Sequence, residues 1–210
     1  AISTDNSRLT WTTRSGADVP GQAEVSSTVW VAAIDGSSAA MVRNDRGISA
    51  SWLDDRRLLL RTPGEGRSVT LAVHDTQTGE AFDLGTFTNM RNLSIAPGGN
   101  KIMFYLTWQN DPAVQPGIYV MDTAPGATPQ PLPWFGGWRW RDADSVFYLP
   151  YQPQSANHSL HLYDLNTGED RLLAGPATDD YFTVMNGDWQ VSADGTRITF
   201  QNAVDSNMWL

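Results

Sequence analysis

Apolar and polar residues alternate in short runs along this chain, and turn-forming residues separate the runs. The clearest copy is Val191-Ser192-Ala193-Asp194-Gly195-Thr196-Arg197-Ile198-Thr199-Phe200. An apolar strand leads into a Ser-x-Asp-Gly turn, and a second strand leads out with Ile198 and Phe200 on one face. Asp accepts hydrogen bonds from its own turn, and Gly tolerates positive φ, so the stretch predicts a hairpin. Four weaker copies are legible: Ser3-Thr4-Asp5-Asn6, Ser51-Trp52-Leu53-Asp54-Asp55, Ser94-Ile95-Ala96-Pro97-Gly98-Gly99 and Arg139-Trp140-Arg141-Asp142-Ala143-Asp144. Their apolar anchors are Leu9, Leu58, Ile102, Val146 and Ile198, at intervals of 49, 44, 44 and 52 residues.

A second motif lies between these turns. Leu71-Ala72-Val73-His74-Asp75 runs into Thr76-Gln77-Thr78-Gly79, and Ile118 to Asp122 into Thr123-Ala124-Pro125-Gly126. Leu160 to Asp164 runs into Leu165-Asn166-Thr167-Gly168. Val29-Trp30-Val31 begins a degenerate copy, and Met208-Trp209-Leu210 begins a fifth. Each unit therefore reads as four strands, here A to D, with tight A–B and C–D turns. A period of about 40–50 residues predicts an all-β β-propeller of four-stranded antiparallel blades. Units at 1–47, 48–91, 92–137, 138–187 and 188–210 make about four and a half blades of a single propeller domain or propeller fragment. The first unit lacks most of strand A and the last stops in strand C. A closed ring needs whole blades and β proteins avoid open edges, so the chain is expected to be part of a larger propeller or to borrow strands from another segment.

The turn, the Ile-x-Phe-like strand and the strand ending in Trp or Tyr resemble the TolB-type propeller repeat, a relative of WD-repeat blades. The resemblance covers nearly the whole chain. It implies the propeller fold and an extracytoplasmic setting: periplasmic, cell-surface or secreted. The same repeat is found in TolB, in propellers of prolyl-oligopeptidase-type peptidases and in many surface proteins, so it does not choose among their activities.

Length variation is confined to one end of the units. The B–C connections span 12–27, 62–67, 107–117 and 150–158, and the D–A connections include 133–137 and 175–187. In a propeller both sets emerge on one face, and loops on a rigid scaffold commonly carry binding. Aromatics gather there, and Trp108, Trp134, Trp138, Tyr151, Tyr181 and Phe182 are the candidate binding residues, with Phe135 among them in the sequence. The competing expectation is that such rings pack beneath their own loops. Trp138 and Trp140 are two apart and share one strand face, with Arg139 and Arg141 on the other. Trp140 is expected to pack between blades, as Trp52 and Trp189 precede their turns at a similar phase.

Composition narrows the function classes. The chain holds 210 residues with 40% hydrophobic content and 18% charged residues, enough for a core under polar loops. The net charge of −9 disfavours nucleic acid and anionic membranes, where the phosphate term would repel. No apolar run approaches the ~20 residues of a membrane span, so no direct membrane insertion is expected. Zero cysteines remove disulfides and thiolate metal ligation. There is no Gly-x-Ser-x-Gly elbow and no phosphate-binding loop. His74, His158 and His161 have no metal-ligand spacing and are expected to be structural. Of the acidic pairs, Asp54-Asp55 and Asp142/Asp144 fall in turns and Asp179-Asp180 in a loop, without the pattern of a calcium site. Two glycosylation sequons occur, Asn92-Leu93-Ser94 and Asn157-His158-Ser159.

No catalytic residue, cofactor or metal is therefore expected. The favoured expectation is a non-catalytic scaffold that binds a protein or other macromolecule through its B–C/D–A face. Two alternatives stay open. One is the substrate-gating propeller of a prolyl-oligopeptidase-like serine peptidase whose catalytic domain lies outside this sequence. The other is carbohydrate binding by the loop aromatics.

Overall fold

The computed structural model describes residues 1–15, 26–109, 111–152, 158–175 and 183–210, and the side chains at 185 and 186 are not described. Among these residues the chain forms eighteen strands and a single 3-10 turn at Glu65–Arg67. The strands assemble into five antiparallel sheets. Sheet 1 holds β1(Arg8–Ser15), β2(Ser26–Ala33) and β3(Ala40–Arg46). Sheet 2 holds β4(Ser49–Trp52), β5(Arg57–Pro63), β6(Ser68–Asp75) and β7(Ala81–Thr88). Sheet 3 runs from β8(Met90–Ile95) through β9(Lys101–Leu106) and β10(Gly117–Asp122) to β11(Gln130–Pro131). Sheet 4 runs from β12(Gly136–Trp140) through β13(Ser145–Pro150) and β14(Leu160–Asp164) to β15(Asp170–Ala174). Sheet 5 holds β16(Val184–Val191), β17(Ile198–Asn202) and β18(Met208–Trp209). In every sheet, consecutive strands are neighbours, which is the meander the repeat predicts.

The first strand A survives as one bridge, Ile2 to Leu9, and the last sheet ends in a two-residue strand C. Two sequence expectations need correction at the strand ends. The first B–C connection is shorter than 12–27, because Thr12 to Ser15 and Ser26 to Ser27 continue the ladder, with Trp11 opposite Trp30; residues 16–25 lie outside the described ones. The last D–A connection also ends earlier than Gly187, because β16 begins at Val184. Asn92 lies within β8, so the first sequon sits in a strand; Asn157 of the second lies outside the described residues.

The chain divides into two compact units, Ala1–Pro131 and Leu132–Leu210. In the first unit the cores lie between sheets. Val29 and Val31 of sheet 1 pack with Trp52, Leu58, Leu60 and Ala72 of sheet 2. The other face of sheet 2, with Leu59, Leu71, Val73 and Leu84, packs with Ile102, Phe104, Tyr119 and Met121 of sheet 3. In the second unit Phe147, Leu149 and Leu160 of sheet 4 pack with Val184 and Trp189 of sheet 5. The inner strands β5 and β6 of sheet 2 thus have two apolar faces, one toward sheet 1 and one toward sheet 3, and their side chains alternate between them.

The five anchors occupy one register position but are not equally covered. Leu58, Ile102 and Val146 are fully buried, while Leu9 and Ile198 are half-buried. Leu9 has only Ile2 beside it on the strand A side. Ile198 has no strand C opposite, because β18 pairs only with Phe200 and Gln201. Burial of the anchor is therefore incomplete where the neighbouring strand is truncated.

Candidate functional site

The two ends of the sheets are built from different chemistry. At the A–B/C–D end, aspartates close the turns. Asp54 accepts the backbone N–H of Arg56 and Arg57, Asp75 those of Gln77 and Thr78, and Asp164 those of Asn166 and Thr167. Burial opposes ionisation of Asp75, but the hydrogen bonds from Arg56, Gln77 and Thr78 outweigh it and lower its pKa to about 2. Asp5 is lowered equally, to about 2, by the hydroxyls of Ser3 and Ser7 and the Ser7 N–H. Asp142 accepts the N–H of Asp144, as a turn former should. Residues 179–180 lie outside the described ones.

The A–B turns come in two lengths. Seven residues separate the paired positions Ile2 and Leu9, Ile95 and Ile102, and Val191 and Ile198, so an extra residue sits in the turns of sheets 1, 3 and 5. Asn6, Gly99 and Gly195 take it up with φ of 60°, 70° and 67°. Six residues separate Trp52 from Leu58 and Trp140 from Val146. The matching Asp55 and Ala143 of the shorter turns are not at positive φ. The two glycines also permit close approach. A Cβ on Gly99 would run into the Leu53 carbonyl of sheet 2, and one on Gly195 would lie 2.5 Å from the Arg141 carbonyl of sheet 4.

At the B–C/D–A end the predicted rings separate into exposed and packed sets. Trp108 is 68% exposed. Its backbone is nonetheless pinned: its carbonyl accepts from the Asn89 side chain at 2.8 Å, and the neighbouring Gln109 side chain donates to Thr88 O at 2.8 Å. Tyr151 is 64% exposed and meets Phe135 edge-to-face with ring centroids 5.7 Å apart. The Tyr151 N–H donates to the Phe135 carbonyl at 2.8 Å, so the pair is held at its base. Trp134 instead stacks on Tyr148 at 4.1 Å and 11°, with Tyr163 at its edge. Trp138 is buried in β12 beside Arg139, whose guanidinium lies 5.1 Å over the Trp189 ring. Neither Trp134 nor Trp138 is displayed as the sequence expectation places them. Strand alternation turns Trp138 into the packed face, and the aromatic neighbour Tyr148 captures Trp134. Tyr181 and Phe182 lie outside the described residues.

One polar network escaped the sequence reading. The Tyr148 hydroxyl donates to Asp170 at 2.6 Å, His161 Nδ1 lies 2.9 Å from the same carboxylate, and His161 Nε2 lies 3.1 Å from Ser159 Oγ. Burial, then the Asp170 contact, pushes the Tyr148 phenol well above its ordinary value. The network ties β13, β14 and β15 together. Tyr148 and His161 are paired, and Asp170 lies diagonally across, opposite Tyr163, so the signal is visible only once the register is known. Among the described residues, no group of three or more His, Cys, Asp or Glu side chains is placed to hold a metal ion. Among them, too, no helix is long and apolar enough to cross a membrane.

No family model and no curated protein sequence matches the chain. Solved structures do. TolB from Acinetobacter baumannii aligns over 87% of this chain and 45% of its own, at 21% identity and a TM-score of 0.52. An oligogalacturonate lyase in complex with manganese aligns over 99% of this chain and 62% of its own, at 11% identity and a TM-score of 0.63. The β-propeller domain of the Trilobed protease from Pyrococcus furiosus, described as having an open velcro topology, aligns over 93% of this chain and 60% of its own, at 10% identity and a TM-score of 0.58. The chain thus spans between about half and under two thirds of these proteins' lengths. Identities this low carry the fold alone, and the fold they carry, together with the four-strand meanders and the two turn types, is a β-propeller of the kind seen in TolB and in peptidase propeller domains.

Proposed function

We propose that this chain is a non-catalytic recognition scaffold that takes up a protein or other macromolecule through the B–C/D–A ends of its sheets. The observation that carries this reading is the combination of exposed rings and hydrogen-bonded backbone at Trp108, Phe135 and Tyr151. Large apolar rings are exposed there, yet their main chains are tied by hydrogen bonds. Exposed Trp and Tyr on a pinned backbone lose little freedom on binding, and such residues dominate interface energetics. Among the described residues, the A–B and C–D turns contain no Trp, Tyr or Phe. An extracytoplasmic location suits this role and the cysteine-free, acidic composition.

The peptidase-gating reading rests on one further observation, the likeness to the Trilobed protease propeller domain. It assigns the same loops to the entrance of a catalytic domain. The test compares Trp108→Ala, Tyr151→Ala and Trp134→Ala in melting temperature and in capture of partners from a native extract. The scaffold reading expects the first two to melt normally and lose capture, and the third to melt early. If Trp108→Ala and Tyr151→Ala capture partners as well as the unmodified chain, the loop-face reading fails. A glycan array decides the carbohydrate alternative.

A further inference from the structure

Between sheets 1 and 2, at their A–B/C–D ends, lies a cleft of about 670 Å³. Such a volume suits a small molecule or the end of a peptide. Its apolar side comes from Val31, Ala40 and Val42, and its polar side from Arg8, His74 and Thr76, with further hydroxyls from Ser7, Ser38 and Thr78. No carboxylate lines it, in a chain whose net charge is −9. Burial pushes the His74 imidazole below its ordinary value, so at neutral pH Arg8 carries the one formal charge of the lining.

Two features of the repeat explain why the cleft is open and why its charge is unspent. The first is a size change at one register position. Val31 pairs with Ala40 in sheet 1, and the equivalent Val73 pairs with Phe82 in sheet 2. Phe82 packs against the core shared by sheets 2 and 3, whereas the methyl of Ala40 leaves that volume empty. The second is the turn length. Arg8 and Arg57 both precede their anchors by one residue. Arg57 is neutralised by Asp54 at 2.6 Å. The equivalent acid, Asp5, sits in the longer turn and spends its oxygens on Ser3 and Ser7. Among the described residues no carboxylate pairs with Arg8, which donates to the neutral Thr76 hydroxyl at 2.6 Å.

We propose that this cleft binds a monocarboxylate with an aliphatic body, a fatty-acid-like small molecule or an apolar peptide terminus, with the carboxylate on Arg8 and the body against Val31, Ala40 and Val42. The guanidinium has five N–H donors and uses one here, so a fork remains for a carboxylate. One positive charge matches one negative charge. The apolar wall distinguishes an aliphatic acid from a bare anion.

The test uses hexanoate, 1-hexanol and acetate as probes on the intact chain. Methyl resonances of Val31, Ala40, Met41 and Val42 report occupancy by NMR. Hexanoate is expected to shift them saturably, with hexanol and acetate each about tenfold weaker or more, the discrimination expected from losing a charge-assisted hydrogen-bond pair or a buried aliphatic chain. Arg8→Met should remove the preference for hexanoate over hexanol. If that variant fails to fold, Ala40→Phe leaves the Arg8–Thr76 contact intact, refills the cleft as Phe82 does, and should abolish the hexanoate shifts. Hexanol binding as tightly as hexanoate overturns the role of Arg8. Acetate binding as tightly as hexanoate overturns the apolar wall. Absence of saturable shifts, or shifts unchanged in Ala40→Phe, overturns the site.

Discussion

The turn that carries Arg8 and the turn that carries Arg57 are copies of one hairpin with different fates. In sheet 2 the short turn aims Asp54 back at Arg57, and that arginine also reaches sheet 3, where it meets the Asn100 side chain at 3.2 Å. In sheet 1 one more residue fits in the turn, Asn6 takes φ of 60°, and the acid turns away to two serines. A single extra residue in the turn thus separates an arginine paired with the turn aspartate from one that is not. The same alternation governs docking between turns. The long turns of sheets 3 and 5 bring Gly99 and Gly195 against the carbonyls of Leu53 and Arg141, both in short turns. Sheets 2 and 3, and sheets 4 and 5, thus approach each other backbone to backbone at the turn end.

The largest expected effect lies in the anchors that these turns position. Ile102→Ala should cost about 2–5 kcal/mol, because the side chain is fully buried between sheets 2 and 3. Leu9→Ala, at the same register position but half-buried beside a truncated strand, should cost less than half as much. Urea denaturation of both variants measures the difference. Equal losses would mean that the truncated edge is covered as well as the interior one.

Next comes the contact between turns. Gly99→Ala combines positive φ with a clash against backbone, and should cost about 2–4 kcal/mol. Its neighbour Gly98 has φ of 82° but open space around its Cβ position, so Gly98→Ala should cost only about 1 kcal/mol. Thermal unfolding of the pair separates conformational strain from close approach. Gly195→Ala should follow Gly99, and Gly195→Asn should not be tolerated better than Ala, because the obstacle is the Arg141 carbonyl rather than φ. If the Asn variant is as stable as the parent, the close approach is not what selects glycine there.

Much of this was legible in the residues. The spacing of Leu9, Leu58, Ile102, Val146 and Ile198 located every sheet, and the truncated ends followed from which motifs were missing. Period-two alternation and turn chemistry are local properties, so they can be read from one sequence. Three matters could not be read that way. The turn-length alternation depends on which residues pair, and Asp54 and Asp5 look identical until Leu58 and Leu9 are given partners. The packing of Trp134 depends on Tyr148, fourteen residues downstream on β13. The cleft at Arg8 depends on comparing Ala40 with Phe82, whose strands are of irregular spacing in the sequence.

A smaller effect concerns pH at the turn end. Asp75 is ionised well below the ordinary carboxylate range because Arg56 and two backbone N–H groups hold its charge, and its side chain is only 10% exposed. Its folded pKa of about 2 lies below the unfolded value, so its contribution is complete above about pH 4 and is lost as pH falls toward 2. Asp75→Asn should therefore lower stability at neutral pH by about 1–2 kcal/mol and flatten the decline between pH 4 and 2. Asp5 has the same depressed pKa, with its own carboxylate exposed. Asp5→Asn should flatten the same window less, since solvent already screens that charge. Acid titration of the melting temperature in the two variants orders them.

The smallest stability effect is expected at the opposite end of the sheets. Trp108 touches its surroundings chiefly through its backbone, and its ring is 68% exposed. Trp108→Ala keeps the carbonyl that accepts from Asn89 and removes only the ring, so the melting temperature should stay within the scatter of surface substitutions, about 0.5 kcal/mol. Trp134→Ala removes a ring stacked at 4.1 Å on Tyr148 and edge-on to Tyr163, and should cost several times more. The two substitutions are chemically the same and fall at the same end of their sheets, one in a B–C and one in a D–A connection, so stability alone tells a displayed ring from a packed one. A Trp108→Ala variant that melts as early as Trp134→Ala would show that the ring is held in solution by its own loop, and the B–C/D–A end of sheet 3 would then offer no aromatic anchor to a partner.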